Sequence, residues 1–349
     1  MKAIPTMMGA ATVALMLVNG SMAREKNTEQ MADDAAVPVN ITNAVRAETD
    51  TMIRVQIETF DLQFGKLMHL RDPMTAENQS VIRVNQDTLY SSTVLDLAEP
   101  VSVTLPDAGG RFQSMLVISQ DHYNFGEAKP GTYLLTEEEV GTRFAYLLFR
   151  TFIDVMDPED IAAAHAAQDG IRVSGGGQGP FEAPNWSLKD LKKARSAVNA
   201  LSELGYDTRV AFGRKSEVEP LQHLLGALGG WGGQPPSMAI YESRVVEKND
   251  GDTPYVLTVK DVPVDAFWSV TVYNSEGFLE ANDTGRSNYN NFSAEPNADG
   301  SFTIHFGGDP TKINYLPVPE NWTWVVRLHQ PREEIIDGSW TFPDPVPLP

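Results

Sequence analysis

The chain has 349 residues, 42% of them hydrophobic, enough for one large or two medium domains with substantial cores. Its 47 acidic and 27 basic residues leave a formal charge of -20, which disfavours nucleic acid and anionic membrane surfaces as partners. Cysteine is absent, so disulfides, thiol nucleophiles and thiolate metal sites are excluded.

Residues 1–23, MKAIPTMMGAATVALMLVNGSMA, carry a single positive charge at Lys2, an apolar centre and small residues at Ser21 and Ala23. The pattern predicts a secretory signal peptide cleaved after Ala23, because the apolar centre is much shorter than the roughly 20 residues a spanning helix needs. Export would place the mature protein in the periplasm or outside the cell. Residues 24–39 are polar and poor in aromatics, and read as a flexible leader. Val45, Thr49, Met52, Ile53, Gln56 and Phe60 follow helical spacing and predict a helix ending near Gly65.

Strands are expected over residues 80–97 and 111–119, paired through the turn-like link TLPDAGG. Thr136 and Glu139 form a capping box that predicts a helix running through Val140, Phe144, Leu147, Leu148, Thr151 and Val155. Asp157-Pro158 opens a second helix, Ser187 with Asp190 a third that stops near Gly205, and a short fourth spans residues 221–228. Between them, SGGGQGP at 174–180 reads as a flexible joint. From Ser237 the period changes to two, with strands expected at 237–246, 255–259, 267–273, 302–306 and 323–329. Trp268, Val270 and Val272 share one face, as do Trp324, Val326 and Leu328. The proline-rich tail is expected to wrap the surface without extending a sheet.

The organisation expected is therefore α+β: a mixed helix/strand domain over 40–170, a helical connection over 171–236, and an antiparallel β-sandwich, jelly-roll-like, over 237–349. VNQDTLYSS, LPDAGGRFQSMLVISQDHY, DAFWSVTVYNSEGF, DGSFTIHFGG and WTWVVRLHQPREEIIDGSW together resemble the paired DUF1254 and DUF1214 families across residues 40–343. The resemblance implies the same two-domain architecture and brings no activity with it. Gln86 departs from the pattern, since relatives often place a basic residue there; an anion-binding role at that position does not carry over.

Nucleophile elbow, zincin, P-loop and dinucleotide signatures are missing from the sequence, and no cofactor or metal is expected. Asn282-Asp283 and Asp299-x-Ser301 offer oxygen atoms, but at a spacing that matches no calcium loop. The densest polar block is VIRVNQDTLYSS, where Asn85, Asp87 and Tyr90 lie among apolar residues; a second, Asp121-His122-Tyr123, ends an apolar strand. If a turn brought Asp87, Asp121 and His122 together, the carboxylates could divide acid and base roles, with His122 titrating near neutrality. Arg111 and Gln113 share a strand face and would orient a ligand or pair with Asp87. Trp231, Tyr273 and Asn274 add flat aromatic surface and amide groups suited to neutral, sugar-like ligands. His165, His305 and His329 read as surface or sheet positions.

Two function classes fit these residues. One is an exported hydrolase or lyase acting on a neutral, carbohydrate-like substrate at the domain boundary; the other is a non-catalytic envelope protein that binds a glycan or a protein. Cleavage of the exported chain should leave a mature N-terminus near Arg24, which intact-mass measurement of the secreted or periplasmic protein checks directly.

Overall fold

A computed structural model describes residues 36–79 and 82–348; the expected signal peptide lies outside the described residues. The first helix, α1 (Ala44–Phe60), stops at Asp61, whose backbone is left-handed (φ 50°). It turns Met52 and Ile53 onto a five-stranded sheet in the order β1 (Met68–His69), β2 (Thr88–Asp96), β7 (Phe144–Phe152), β4 (Gln113–Ser119), β5 (Asn124–Glu127). Each strand of this sheet runs antiparallel to its neighbours. A three-stranded sheet of β6 (Gly131–Leu135), β3 (Val101–Leu105) and β8 (Arg172–Gly175) covers the other face, burying Val103, Leu105 and Leu135 against Val117, Leu147 and Phe149.

The central strand β7 corrects the sequence reading. The capping box is present, with Thr136 accepting from the Glu139 amide, but it opens only one turn, α2 (Glu137–Val140), which Gly141 ends at φ 89°. The β7 run, FAYLLFRTF, is buried on both faces, and such a run has no period from which helix and strand can be told apart. The strand also separates β2 from β4, so the two do not pair with each other as expected. Residues 101–105, expected to lie in the connection between those strands, are strand β3.

The glycine-rich 174–180 stretch is also packed. Ser174 and Gly175 extend β8 against β3, Gly177 N–H donates to the Asp96 carbonyl, and Gly179 N–H to the Asp96 carboxylate at 3.1 Å. At Gly175, with φ 88°, a Cβ would sit 2.5 Å from the Pro100 carbonyl oxygen, so glycine here permits a close approach. Val37, at the end of the expected leader, exchanges backbone bonds with Asn185 and Ser187.

The helices α3 (Pro158–Gly170) and α4 (Leu188–Ser202) begin where their caps predict, with Asp157 and Ser187 accepting from Glu159 N–H and Asp190 N–H, and α5 (Pro220–Gly229) covers the expected 221–228 without a side-chain cap. The second domain is β-rich, with no closed barrel. One sheet orders β12 (Asn288–Asn290), β11 (Val264–Tyr273), β15 (Thr323–Pro331) and β9 (Ala239–Arg244); the other orders β14 (Tyr315–Leu316), β13 (Phe302–Phe306), β10 (Tyr255–Val259) and β16 (Val346–Pro347). Trp268, Val270, Trp324, Val326 and Leu328 from the first meet Leu257, Ile304 and Phe306 from the second in one core. The tail does join a ladder: Val346 and Pro347 pair with β10 at the sheet edge, a place proline tolerates. No described helix is long and apolar enough to cross a membrane.

Asp96 fixes the end of β2. Its carboxylate accepts from Arg143 Nε at 2.8 Å and Nη2 at 3.0 Å, and from the Ala98 and Gly179 amides, while its side chain is only 2% exposed. The Arg143 guanidinium, first among the causes, holds this carboxyl below its ordinary range. A depressed folded-state pKa contributes stability that is complete above the unfolded value of about 3.9 and is lost as pH falls through the folded value. Asp96→Asn should therefore cost about 1–3 kcal/mol near neutrality, with the gap closing in acid. Denaturant melts at pH 7 and pH 3 measure both gaps, and equal gaps would exclude the ion pair as their source.

Candidate functional site

Strand alternation leaves each domain with a polar sheet face, and the two are buried against one another. On the first sheet, Tyr90, Arg150 and Ser114 stand side by side across β2, β7 and β4, with Thr88 opposite Phe152 in the next row. In the second domain, Trp268, Val270, Val326 and Leu328 fill the sandwich core, so Ser269, Arg327 and Tyr241 form a row on the outer face, with His329 beside Phe267 in the next. Aromatic rings stitch the faces together: Phe267 meets Phe152 at 4.9 Å and Phe112 at 5.4 Å. His329 stacks on Phe267 at 4.3 Å.

Burial makes each polar atom in this seam costly unless it is paired. Arg327 is well supplied: it donates to Thr271 Oγ1 at 2.9 Å, to the carbonyls of Arg83 and Val84, and to the Tyr273 hydroxyl at 2.6 Å. The Tyr273 O–H in turn donates to the Val84 carbonyl at 2.6 Å. Asp87 accepts from the side-chain amides of Asn288 at 2.7 Å and Asn290 at 3.0 Å, both on Oδ1, while Oδ2 has no hydrogen-bond partner among the described residues. Burial raises the Asp87 pKa, against the opposing pull of Asn290, Arg327 and Ser269.

Arg150 is different. Its exposure is 0%, and none of its three guanidinium nitrogens has an acceptor among the described residues. The group lies 5.7 Å from the Tyr90 ring centre, and near enough to Tyr241 and His329 to act on both electrostatically. Both His329 nitrogens and the hydroxyls of Tyr90, Ser114 and Thr88 are likewise without partners among the described residues. Burial, reinforced by Arg150 and Arg327, drives the His329 pKa well below its ordinary value, so the imidazole is neutral at physiological pH.

This pairing of two unlike domains has relatives. A model described as a protein of unknown function (DUF1254) matches residues 64–175, and one described as a protein of unknown function (DUF1214) matches 238–333. The chain is a tandem DUF1254/DUF1214 protein. The crystal structure of the VPA0106 protein from Vibrio parahaemolyticus is similar, with a TM-score of 0.67 at 18% identity, covering 92% of this chain and all of that one. An uncharacterised protein from Burkholderia cenocepacia aligns with a TM-score of 0.46 at 16% identity, over 90% of this chain and 92% of its own. No curated protein matches the chain.

The residues expected to converge are distributed over separate parts of the DUF1254 domain and its surroundings. Asp87 lies in the seam, supported by Asn85, whose Oδ1 accepts the Asp87 amide at 2.9 Å. Asp121 is 40% exposed at its side chain and pairs with Arg46 at 2.7 Å. His122 does sit in a turn, with φ 60°, but the turn sends its ring inward among Phe212, His223 and Trp231, where Nε2 accepts the Gly232 amide. No hydrogen bond or ion pair links Asp87 to either residue among those described. The expected acid-base trio is thus not assembled, because the turn that frees both side chains of a dipeptide also points them apart.

Arg111 and Gln113 face α3 instead of the seam, Arg111 forking onto Asp160 and Gln113 donating to Thr151 Oγ1 and the Ala167 carbonyl. Tyr123 stacks on His223 at 4.6 Å, and Trp231 donates to Thr49 Oγ1 beside Tyr146. Asn274 spends its Oδ1 on the Glu276 and Phe278 amides of its own loop. Of the residues singled out, Asn85, Asp87, Tyr90 and Tyr273 reach the seam. Sequence reasoning passes over Arg150, Arg327 and Tyr241, and takes His329 for an ordinary sheet position. The available signal is a lone arginine inside each of two apolar strand runs, FAYLLFRTF and TWVVRLH.

Because both amides fall on one oxygen, Asp87→Asn can keep the two bonds and should change stability by less than about 1 kcal/mol, whereas Asp87→Ala orphans two buried donors and should cost at least about 2 kcal/mol. The raised folded-state pKa means that the native state holds the proton more tightly than the unfolded chain, so this carboxyl's contribution falls as pH rises above about 4. The Asn variant should accordingly gain on the parent between pH 4 and pH 7. Paired thermal melts at the two pH values test the sign.

Proposed function

We propose that the chain is an exported protein that binds a small molecule through an anionic group, a carboxylate or a similar oxyanion, in the seam between its two domains. Arg150 is the anchor. The observation that carries this reading is a guanidinium with zero exposure and no acceptor for any of its nitrogens among the described residues. Arginine does not escape burial by losing its proton, and leaving a charge unpaired in the interior costs several kcal/mol. A planar oxyanion supplies two acceptors in the geometry the fork presents. Tyr90, Ser114 and Thr88 add hydroxyls on the same side, and Tyr241 and His329 face them from the second domain. Export rests on the N-terminal sequence pattern.

His329 adds to the same reading: a neutral imidazole with both nitrogens free beside the cationic anchor offers one donor and one acceptor to a bound ligand. Nothing in the geometry supports a neutral sugar held by Asp121 and His122, or a glycan gripped by Asn274 at the sandwich rim.

Thermal melts in acetate, succinate, sulfate and phosphate, set against acetamide and glucose, test the anchor. A ligand at 100 times its Kd stabilises by about 2.7 kcal/mol, a shift of several degrees. The anions that fit should raise the melting temperature of the parent protein and leave Arg150→Met unmoved, while that variant itself stays folded because an apolar side chain replaces an unpaired charge. Equal responses of parent and variant, or stabilisation by glucose alone, would refute the anchor.

A further inference from the structure

The Arg150 guanidinium is wholly enclosed, so an anion reaches it only after something moves. Of the side chains around it, Thr88, Tyr90, Ser114 and His329 are buried, whereas Tyr241 is half-buried. Tyr241 lies on β9, the edge strand of its sheet, opposite Arg327 and near enough to Arg150 and Tyr90 to be acted on by both. It also lines a shallow surface cleft with Arg209, Phe212, Gln234 and Pro236. The cleft measures about 20 Å³, room for a single water, so in this closed form it admits no ligand. One hydrogen bond holds the Tyr241 hydroxyl, donated by Gln234 Nε2. Gln234 is buried, and the chain before it is fixed to the first domain. The Gly233 carbonyl accepts from Asn124 Nδ2 at 3.0 Å, a Cβ at Gly233 would come within 2.3 Å of the Phe212 ring, and Gly232 N–H donates to His122 Nε2 at 2.9 Å.

Other ways into the seam break more. Lifting the domains apart breaks the Arg327 bonds to the Arg83 and Val84 carbonyls, the Tyr273 bond to Val84 and both asparagine bonds to Asp87. Entry from the far end displaces the exposed Phe292 and then the Phe152 and Phe267 rings, packed in series at 5.1 and 4.9 Å. Turning Tyr241 breaks one bond between neutral groups, and side-chain rotation is fast beside domain motion. Resting on the anion-binding reading above, we infer that Tyr241 is the door of the site and Gln234 its latch: an anion reaches Arg150 when the Tyr241 side chain leaves Gln234 and turns out into the cleft. The latch slows entry and exit alike.

The chain has no cysteine, so Arg150→Cys sets its one thiol behind the door. The rate at which methyl methanethiosulfonate caps that thiol, followed by intact mass, then reports opening with no ligand present. Added to Arg150→Cys in the full mature chain, Gln234→Ala and Tyr241→Phe should each speed capping by about three- to tenfold, the equivalent of one neutral hydrogen bond, and Tyr241→Ala by more. Because both delete the same bond, Gln234→Ala combined with Tyr241→Phe should be no faster than either alone, which a general loosening of the fold would not reproduce. Phe292→Ala should leave the rate unchanged. If Tyr241→Ala does not fold, the two milder variants carry the test. Rates unmoved by the Gln234 and Tyr241 variants, or raised as much by Phe292→Ala, would overturn the door; if anions still stabilise the parent protein and not Arg150→Met, the anchor stands without it. No stabilisation by any anion would remove the anchor and the door together.

Discussion

The structure depends on how a buried guanidinium is satisfied. Two of them, Arg327 and Arg150, lie in strands that face one another across the domain seam. Arg327 receives four acceptors, two of them backbone carbonyls from the 82–87 loop of the other domain, so it joins the domains as directly as any apolar contact. Replacing such a charge's partners is expensive, and that expense fixes the register in which the sandwich meets the first sheet. Tyr273 and Asp87 extend the same logic: each spans the seam with bonds that no alternative docking would reproduce.

Arg150 sits in the same environment without the same provision. The first domain could have presented an acceptor at Ser114 or Tyr90, but hydroxyls offer weak, neutral oxygens, and neither is placed to accept from it. Asp87, the acid of the seam, has committed Oδ1 to two asparagine amides and has its carboxyl biased toward the neutral form by burial. A seam whose acid is pushed toward its neutral form by burial and which keeps two cations is more positive than the chain around it, whose net charge is -20. Low local dielectric strengthens whatever anion reaches it.

Much of the fold was legible because it follows period two with turn punctuation. Strands 255–259 and 302–306 fall where the alternation placed them, and the Trp268 and Trp324 faces meet in one core. The misreadings have physical causes. FAYLLFRTF is buried on both faces, which erases the alternation that marks a strand, and the upstream capping box biases the reading toward helix. SGGGQGP has the composition of a mobile joint, yet its glycines are there for close approach to Asp96 and Pro100, a tertiary fact that composition does not encode. At the site, Asn85, Asp87 and Tyr90 were visible as polar groups among apolar neighbours. The Asp87 partners Asn288 and Asn290 lie about two hundred positions further along the chain, and no local pattern connects them.

The position of Arg150 also determines what a ligand would do to the whole molecule. β7 is the middle strand of the five-stranded sheet, paired along its full length with β2 and along most of it with β4, so its backbone is among the last to be exposed by local opening. From the second domain, Tyr241 and His329 lie near the guanidinium, and Phe267 packs on Phe152 two positions further along β7. An anion that binds there relieves an unpaired charge which both domains enclose, and the gain is lost if either domain lifts away. On the anion-binding proposal, ligand binding and domain docking would share one free-energy term, and by reciprocity each would strengthen the other. The seam is the joint between the domains, held by Arg327, and a bound anion at Arg150 would add to it.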